Sequence, residues 1–147
     1  MTKRVVAKPG DVISVPLAND VFASFVVTYV FKKFKNCIAI GVLPELTIHA
    51  VAPSNVHGEF CVYPLFVGKQ LITAGLWPRV GHITLFPRYE AAPEMIVAGY
   101  VYRGDTPLRT ASSVEMKALP ELLAHGGLAL QNRLRSHFGI AANESSV

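Results

Sequence analysis

Gly10-Asp11-Val12-Ile13-Ser14-Val15-Pro16-Leu17, then Asn19-Asp20, then the long run from Val21 to Phe31: these residues decide the fold. The first run alternates just enough to read as a strand, and the second is rich in β-branched and aromatic residues, which fit a pleated sheet. Pro9-Gly10-Asp11 ahead of them and Asn19-Asp20 between them are turn chemistry. A polar connection, Lys32-Lys33-Phe34-Lys35-Asn36, leads to a third apolar run, Cys37 to Leu43. Three such runs in a row predict a strongly bent antiparallel meander, a common opening for a small barrel.

Working outward, Pro44 ends the third strand and Thr47–Val51 extends or re-forms it, before a loop at Pro53-Ser54-Asn55. Glu59–Val67 resumes the β pattern, with Pro64 marking an edge or a bulge because proline donates nothing to a ladder. Gly68–Gly75 has room for one helical turn. Leu76–Gly81 reads as a tight loop anchored by Trp77, Ile83–Phe86 as a short strand, and Glu94–Arg103 as the last strand, closed by Gly104-Asp105. From Ser112 the period changes. Ser113 with Glu115, and Pro120-Glu121, suggest short helical pieces ending at Gly126-Gly127. Leu130, Leu134 and Phe138 then recur along one face of a helix. Arg133, Arg135 and His137 suit its C-terminal dipole, Gly139 its cap and Ile140 the accompanying apolar contact, with residues 141–147 frayed. The prediction is a mainly β (α+β) domain over residues 1–147, its core about 9–140: a strongly bent antiparallel sheet or partly open barrel with a C-terminal helix.

A chain of 147 residues fits one domain, and 51% apolar against 16% charged residues leaves ample material for a core. Mean hydropathy is high at +0.36. Even so, Val21–Phe31, free of charge and proline, is about half of what a bilayer span needs. The apolar run Val5-Val6-Ala7 is too short for a signal peptide, so a cytoplasmic protein is expected. The net charge of +4 lies wholly in the first quarter, where Lys3, Arg4, Lys8, Lys32, Lys33 and Lys35 face only Asp11 and Asp20. Such asymmetry points to an acidic partner or nucleic acid, or to a solvated loop and a frayed terminus.

Spacings that carry chemistry are missing. His49, His57, His82, His125 and His137 are scattered, with no metal-ligand pattern, and no cofactor or metal is expected. There is no nucleophile elbow and no phosphate loop. Cys37 and Cys61 sit inside apolar runs and read as buried free thiols, with a cross-strand disulfide as the minor alternative; neither Cys61 with His57 nor Cys37 with His49 has an activating context. No spacing of carboxylates promotes acid–base catalysis, so the chain reads as a non-enzyme. Phe31 and Phe34 flanking Lys32, Lys33 and Lys35 form the most suggestive segment. Basic residues interleaved with aromatics stack on nucleic acid or anchor a protein interface; otherwise they are a hairpin tip whose phenylalanines fold back onto the sheet.

The order of features resembles the immunity protein 26 family of bacterial polymorphic toxin systems. Gly10-Asp11-Val12-Ile13-Ser14-Val15-Pro16-Leu17 is similar to that family's opening strand, and Val21–Val27 to the strand after it. Gly75-Leu76-Trp77-Pro78-Arg79-Val80-Gly81 resembles its most distinctive segment, Gly99–Asp105 its late tyrosine-containing strand, and Leu130–Phe138 its terminal helix. The chain departs from the pattern at Ser14, Ser24 and Val101. The resemblance implies a cytoplasmic, non-catalytic β domain that neutralises a cognate toxin domain by tight binding. Trp77, Pro78 and Gly81 are then structural, through a buried indole and a glycine of special dihedral. Binding hot spots are expected among exposed aromatic and basic residues: Lys32, Lys33, Phe34 and Lys35 first, Arg103 and Arg109 second. The alternatives are a small SH3-like barrel that binds or cleaves RNA and an oligomeric accessory domain.

Overall fold

The structure is a computed structural model that describes residues 6–54 and 59–140. Lys3, Arg4, His57 and the tail 141–147 lie outside the described residues. The meander forms as its apolar runs dictate: β1 (Asp11–Ala18), β2 (Val21–Val30) and β3 (Cys37–Val42) pair antiparallel in sequence. β4 (Val62–Gly68) adds to β3 and β5 (Arg79–His82) to β1, giving the order β4-β3-β2-β1-β5. Pro64 lies where the β3–β4 register shifts, on the outermost strand, as the missing N–H requires. The expected re-formed strand at Thr47–Val51 reduces to a single bridge between Thr47 and Phe22. A short helix α1 (Gln70–Thr73) fills the turn before Trp77.

Further expectations change beyond this point. The short strand is Arg79–His82, not Ile83–Phe86. It pairs with β1, whereas Leu85 is buried without strand pairing and Phe86 opens α2 (Pro87–Glu90). Glu94–Arg103 is a hairpin, not one strand: β6 (Glu94–Val97) and β7 (Tyr100–Arg103) flank a two-residue turn in which Ala98 and Gly99 both have positive φ, 49° and 84°. That is the turn whose twist matches antiparallel strands. A further strand, β8 (Thr106–Thr110), folds back after Gly104-Asp105, so β6-β7-β8 form a second antiparallel sheet. Neither sheet closes into a barrel.

Helix α3 (Ser113–Ala118) begins with a capping box between Ser112 and Glu115. Pro120-Glu121 starts no helix. Residues 120–125 run extended and bind two strand edges at once. Ile96 N–H donates to the Pro120 carbonyl and Leu122 N–H to that of Ile96, while His125 N–H donates to Phe66 and Gly68 N–H to His125. The helix α4 (Gly127–Phe138) then closes the described chain, with Gly139 capping it in the left-handed conformation.

The first sheet is buried on both faces. On one, Ile13, Val15, Phe25, Val27 and Ile40 pack with Trp77 and with Leu130 and Leu134 of α4. Trp77 is buried, edge-on to Phe25 at 6.1 Å between centroids, so its structural reading stands. Gly81 does not need its glycine for backbone reasons, because its φ is not positive; it faces Val12 and Ala52 at ordinary contact distance. On the other face, Val12, Val26 and Leu43 meet Leu85, Phe60 and Tyr89, while Phe31, Cys37, Ala39 and Phe66 meet Met95 and Tyr102 of the second sheet. Cys37 is buried and its thiol is pushed up to about 11 by burial. Cys61, expected to be buried, is exposed. The two thiols stand at opposite ends of β3, beside its Cys37 and Val42 ends, and are free.

Candidate functional site

The basic connection Lys32–Asn36 is the tip joining β2 to β3; a turn of its own, Cys37 N–H on the Phe34 carbonyl at 3.1 Å, shapes its second half, and its first half is held from outside. Asp105, in the β7–β8 turn, reaches across to it. Its carboxylate accepts the N–H of Lys32 at 3.0 and 3.2 Å, the N–H of Lys33 at 2.8 Å and the Tyr29 hydroxyl at 3.0 Å. Burial pushes the Asp105 carboxyl up. The N–H groups of Lys33 and Lys32, the Tyr29 hydroxyl and the Lys32 charge outweigh it, so the carboxyl is held below its ordinary value. The Tyr29 hydroxyl is raised, by desolvation first and by the hydrogen bond to Asp105 second.

Under this clamp the aromatic residues fold inward. Phe31 is buried, and Phe34 is half-buried, edge-on to Phe31 at 5.7 Å and to Tyr102 at 5.5 Å. Lys33 lies along the same ring: its Nζ donates to the Tyr102 hydroxyl at 3.0 Å and sits 4.8 Å from the ring centroid, a cation–π contact. Lys32, Lys33 and Lys35 are exposed. Among the described residues every ion pair uses Arg79, His82, Arg88, Arg103 or Arg109, and none uses a lysine. The tip therefore presents three ammonium groups outside any ion pair, although the Lys32 charge acts on Asp105 and Lys33 rests on Tyr102.

Arg103 and Arg109 stand elsewhere. Side chains alternate along β7, so Arg103 faces away from Tyr102 and the lysine tip. It is bound to Glu94, its cross-strand partner, at 2.9 Å. Arg109, opposite Val101, is on that same far face and pairs with Glu115, the carboxylate that also caps α3. The structure thus brings Lys32, Lys33, Phe34 and Lys35 together and sets Arg103 and Arg109 on the other side of the second sheet. Sequence reasoning missed Asp105 and Tyr102. The only local signal was Gly104-Asp105, a dipeptide suited to a hairpin turn. Asp105 is 73 residues from Lys32 in sequence.

Among the described residues no group of three or more potential metal ligands comes together, and no helix is long and apolar enough to cross a membrane. Comparison with family models, with curated proteins and with solved structures returned no match.

Proposed function

We propose that this chain is a non-enzymatic immunity-type protein of the bacterial cytoplasm that binds and neutralises a cognate toxin domain, with the β2–β3 tip as its primary contact. The observation that carries this reading is the clamped tip: three exposed lysines, none in an ion pair, with the main chain of Lys32 and Lys33 fixed by Asp105. Fixing a loop before association removes part of the ordering cost, which is how an inhibitor without a deep pocket reaches high affinity. Unmatched lysines favour an acidic face on the toxin and speed encounter with it. Phe34 supports the tip from beneath, packed on Tyr102, so binding is dominated by the lysines rather than by an inserted ring. A nucleic-acid reading is less well supported, because the rings that would stack on bases are packed on one another.

The test is co-purification of the chain with the toxin domain encoded beside it, followed by calorimetry and by rescue of toxin-expressing cells. Nanomolar one-to-one binding is expected, weakened about a hundredfold or more when Lys32, Lys33 and Lys35 are all changed to Glu, and little changed by Arg103→Ala or Arg109→Ala. Absence of binding and rescue, together with salt-sensitive binding of RNA, overturns the reading.

A further inference from the structure

A second polar cluster lies between β1 and the edge strand β5 of the first sheet, where the proposed contact has no use for it. Lys8-Pro9-Gly10-Asp11 is a turn with Gly10 at φ +95° and Asp11 N–H donating to the Lys8 carbonyl at 3.0 Å, the arrangement that calls for proline and then glycine at its centre. Asp11 follows at the start of β1 with only 2% of its surface exposed. One carboxylate oxygen lies 2.9 Å from His82 Nδ1. The other accepts the Lys8 N–H at 2.9 Å and faces the Arg79 guanidinium at 3.6 Å. His82 and Arg79 both come from β5, and His82 is the direct cross-strand partner of Asp11.

Three features go beyond what a turn needs. An ionised carboxylate only accepts, so Nδ1 of His82 carries the proton and Nε2 is the nitrogen left open. The imidazole and guanidinium remain 59% and 47% exposed while held by a buried group. A Cβ at Gly10 would stand 2.9 Å from the imidazole Cε1 and 3.0 Å from Nε2, so the ring is seated directly on the bare backbone. Burying a charge is costly, and a neutral side chain would make the same turn. What the charge adds is orientation: an imidazole and a guanidinium held on the two oxygens of one carboxylate, with the exposed Lys8 beside them in the turn.

We propose that His82 and Arg79 form a binding site for a phosphate-type oxyanion, with Asp11 as the positioning residue. The guanidinium has donors beyond the one facing Asp11, and its planar fork matches the spacing of phosphate oxygens. The imidazole offers Nε2 on the same edge, a second donor when the ring carries both protons, and Lys8 adds charge without a described ion-pair partner. Each tie between Asp11 and the two side chains fixes a rotamer that would otherwise be ordered only on binding.

The experiment titrates inorganic phosphate into the intact protein carrying 15N-labelled histidine and follows Nε2 of His82, with chloride at equal ionic strength as control. A saturable shift with a millimolar midpoint is expected, weakened about tenfold in Arg79→Gln through loss of a charge-assisted hydrogen bond, and unchanged in Lys117→Gln on α3. A parallel titration with a nucleoside monophosphate identifies the source: tighter binding than phosphate assigns the site to an organic phosphate, equal binding to the free ion. No saturable shift in the wild-type protein, the same shift with chloride, or a shift unaffected by Arg79→Gln overturns the proposal.

Discussion

Asp105→Ala removes the one carboxylate that fixes the lysine tip by its main chain. Three donors converge on it, the N–H groups of Lys32 and Lys33 and the Tyr29 hydroxyl. A hydrogen bond to a charged group contributes about 1.5–3 kcal/mol net. The two N–H groups are at an exposed tip where water replaces the lost partner, so the low end applies, and bonds sharing one carboxylate do not add fully. The expected destabilisation is about 3 kcal/mol for Asp105→Ala and about half that for Asp105→Asn, which keeps one accepting oxygen. Urea unfolding followed by fluorescence of Trp77 measures it, since the single tryptophan is buried against α4 on the opposite face and reports global unfolding. The slope with urea should not change. A sign follows for pH as well. The Asp105 carboxyl is lowered in the folded protein, so its contribution is fully present above the unfolded value near about 3.9 and is lost as pH falls through the lower folded value. The gap between wild type and Asp105→Asn should therefore hold between about pH 7 and pH 5 and shrink once the pH falls below the unfolded value near about 3.9. A gap under about 0.5 kcal/mol at neutral pH, or one that persists undiminished in acid, refutes the clamp.

Ser14 and Ser24 face each other across β1–β2, both fully buried, and neither hydroxyl has a hydrogen-bond partner among the described residues. Changing either to Ala is expected to raise stability by about 1 kcal/mol, read as a higher Tm; a clear loss would show that the hydroxyls are partnered in solution. Gly10→Ala forces a side chain onto φ +95° and within 2.4 Å of the Ile83 carbonyl oxygen, so a loss of about 3 kcal/mol is expected in denaturant unfolding. Of the two thiols, exposed Cys61 should react with a disulfide reagent in the native protein, and buried Cys37, pushed up to about 11, only on unfolding. Equal rates for the two would contradict the burial of Cys37.

The three central strands were legible because they are apolar on both faces: β3 is buried at every position and β1 at nearly all. No choice of register could expose them, and a continuous apolar run is itself the signal. β8 is the reverse case. All five of its residues are exposed, so Thr106–Thr110 carries no pattern and looks like loop. The β6–β7 hairpin was hidden differently, because Ala98 holds a left-handed conformation usually given to Asn or Gly and leaves Glu94–Arg103 looking unbroken. β5 was displaced by the apolar character of Ile83–Phe86, yet Arg79–His82 is the stretch with strand pairing, and Asp11 draws both its charged residues toward β1. The lysine tip was visible as a charge cluster. Its rigidity was not, because the group responsible comes from the second sheet.

That dependence has a mechanical consequence. The second sheet is tied to the first at three places: Asp105 on the tip, Met95 and Tyr102 against Phe31 and Phe66, and the extended segment 120–125 that binds the edges of β4 and β6 together. The Lys35-Asn36 end of the tip is held by the Phe34–Cys37 turn and by Lys69 N–H on the Asn36 carbonyl, but Lys32 and Lys33 are held by the neighbouring sheet, so loosening the 120–125 segment would free those two lysines without altering either. Each long side chain that must be ordered on association costs about 0.5–1.5 kcal/mol. Substitutions in that segment should thus weaken partner binding through the order of the tip, while the charge that steers encounter stays in place and the association rate is kept. Affinity lost through dissociation alone, from a site that touches no partner, is the behaviour that separates a preorganised surface from a merely charged one.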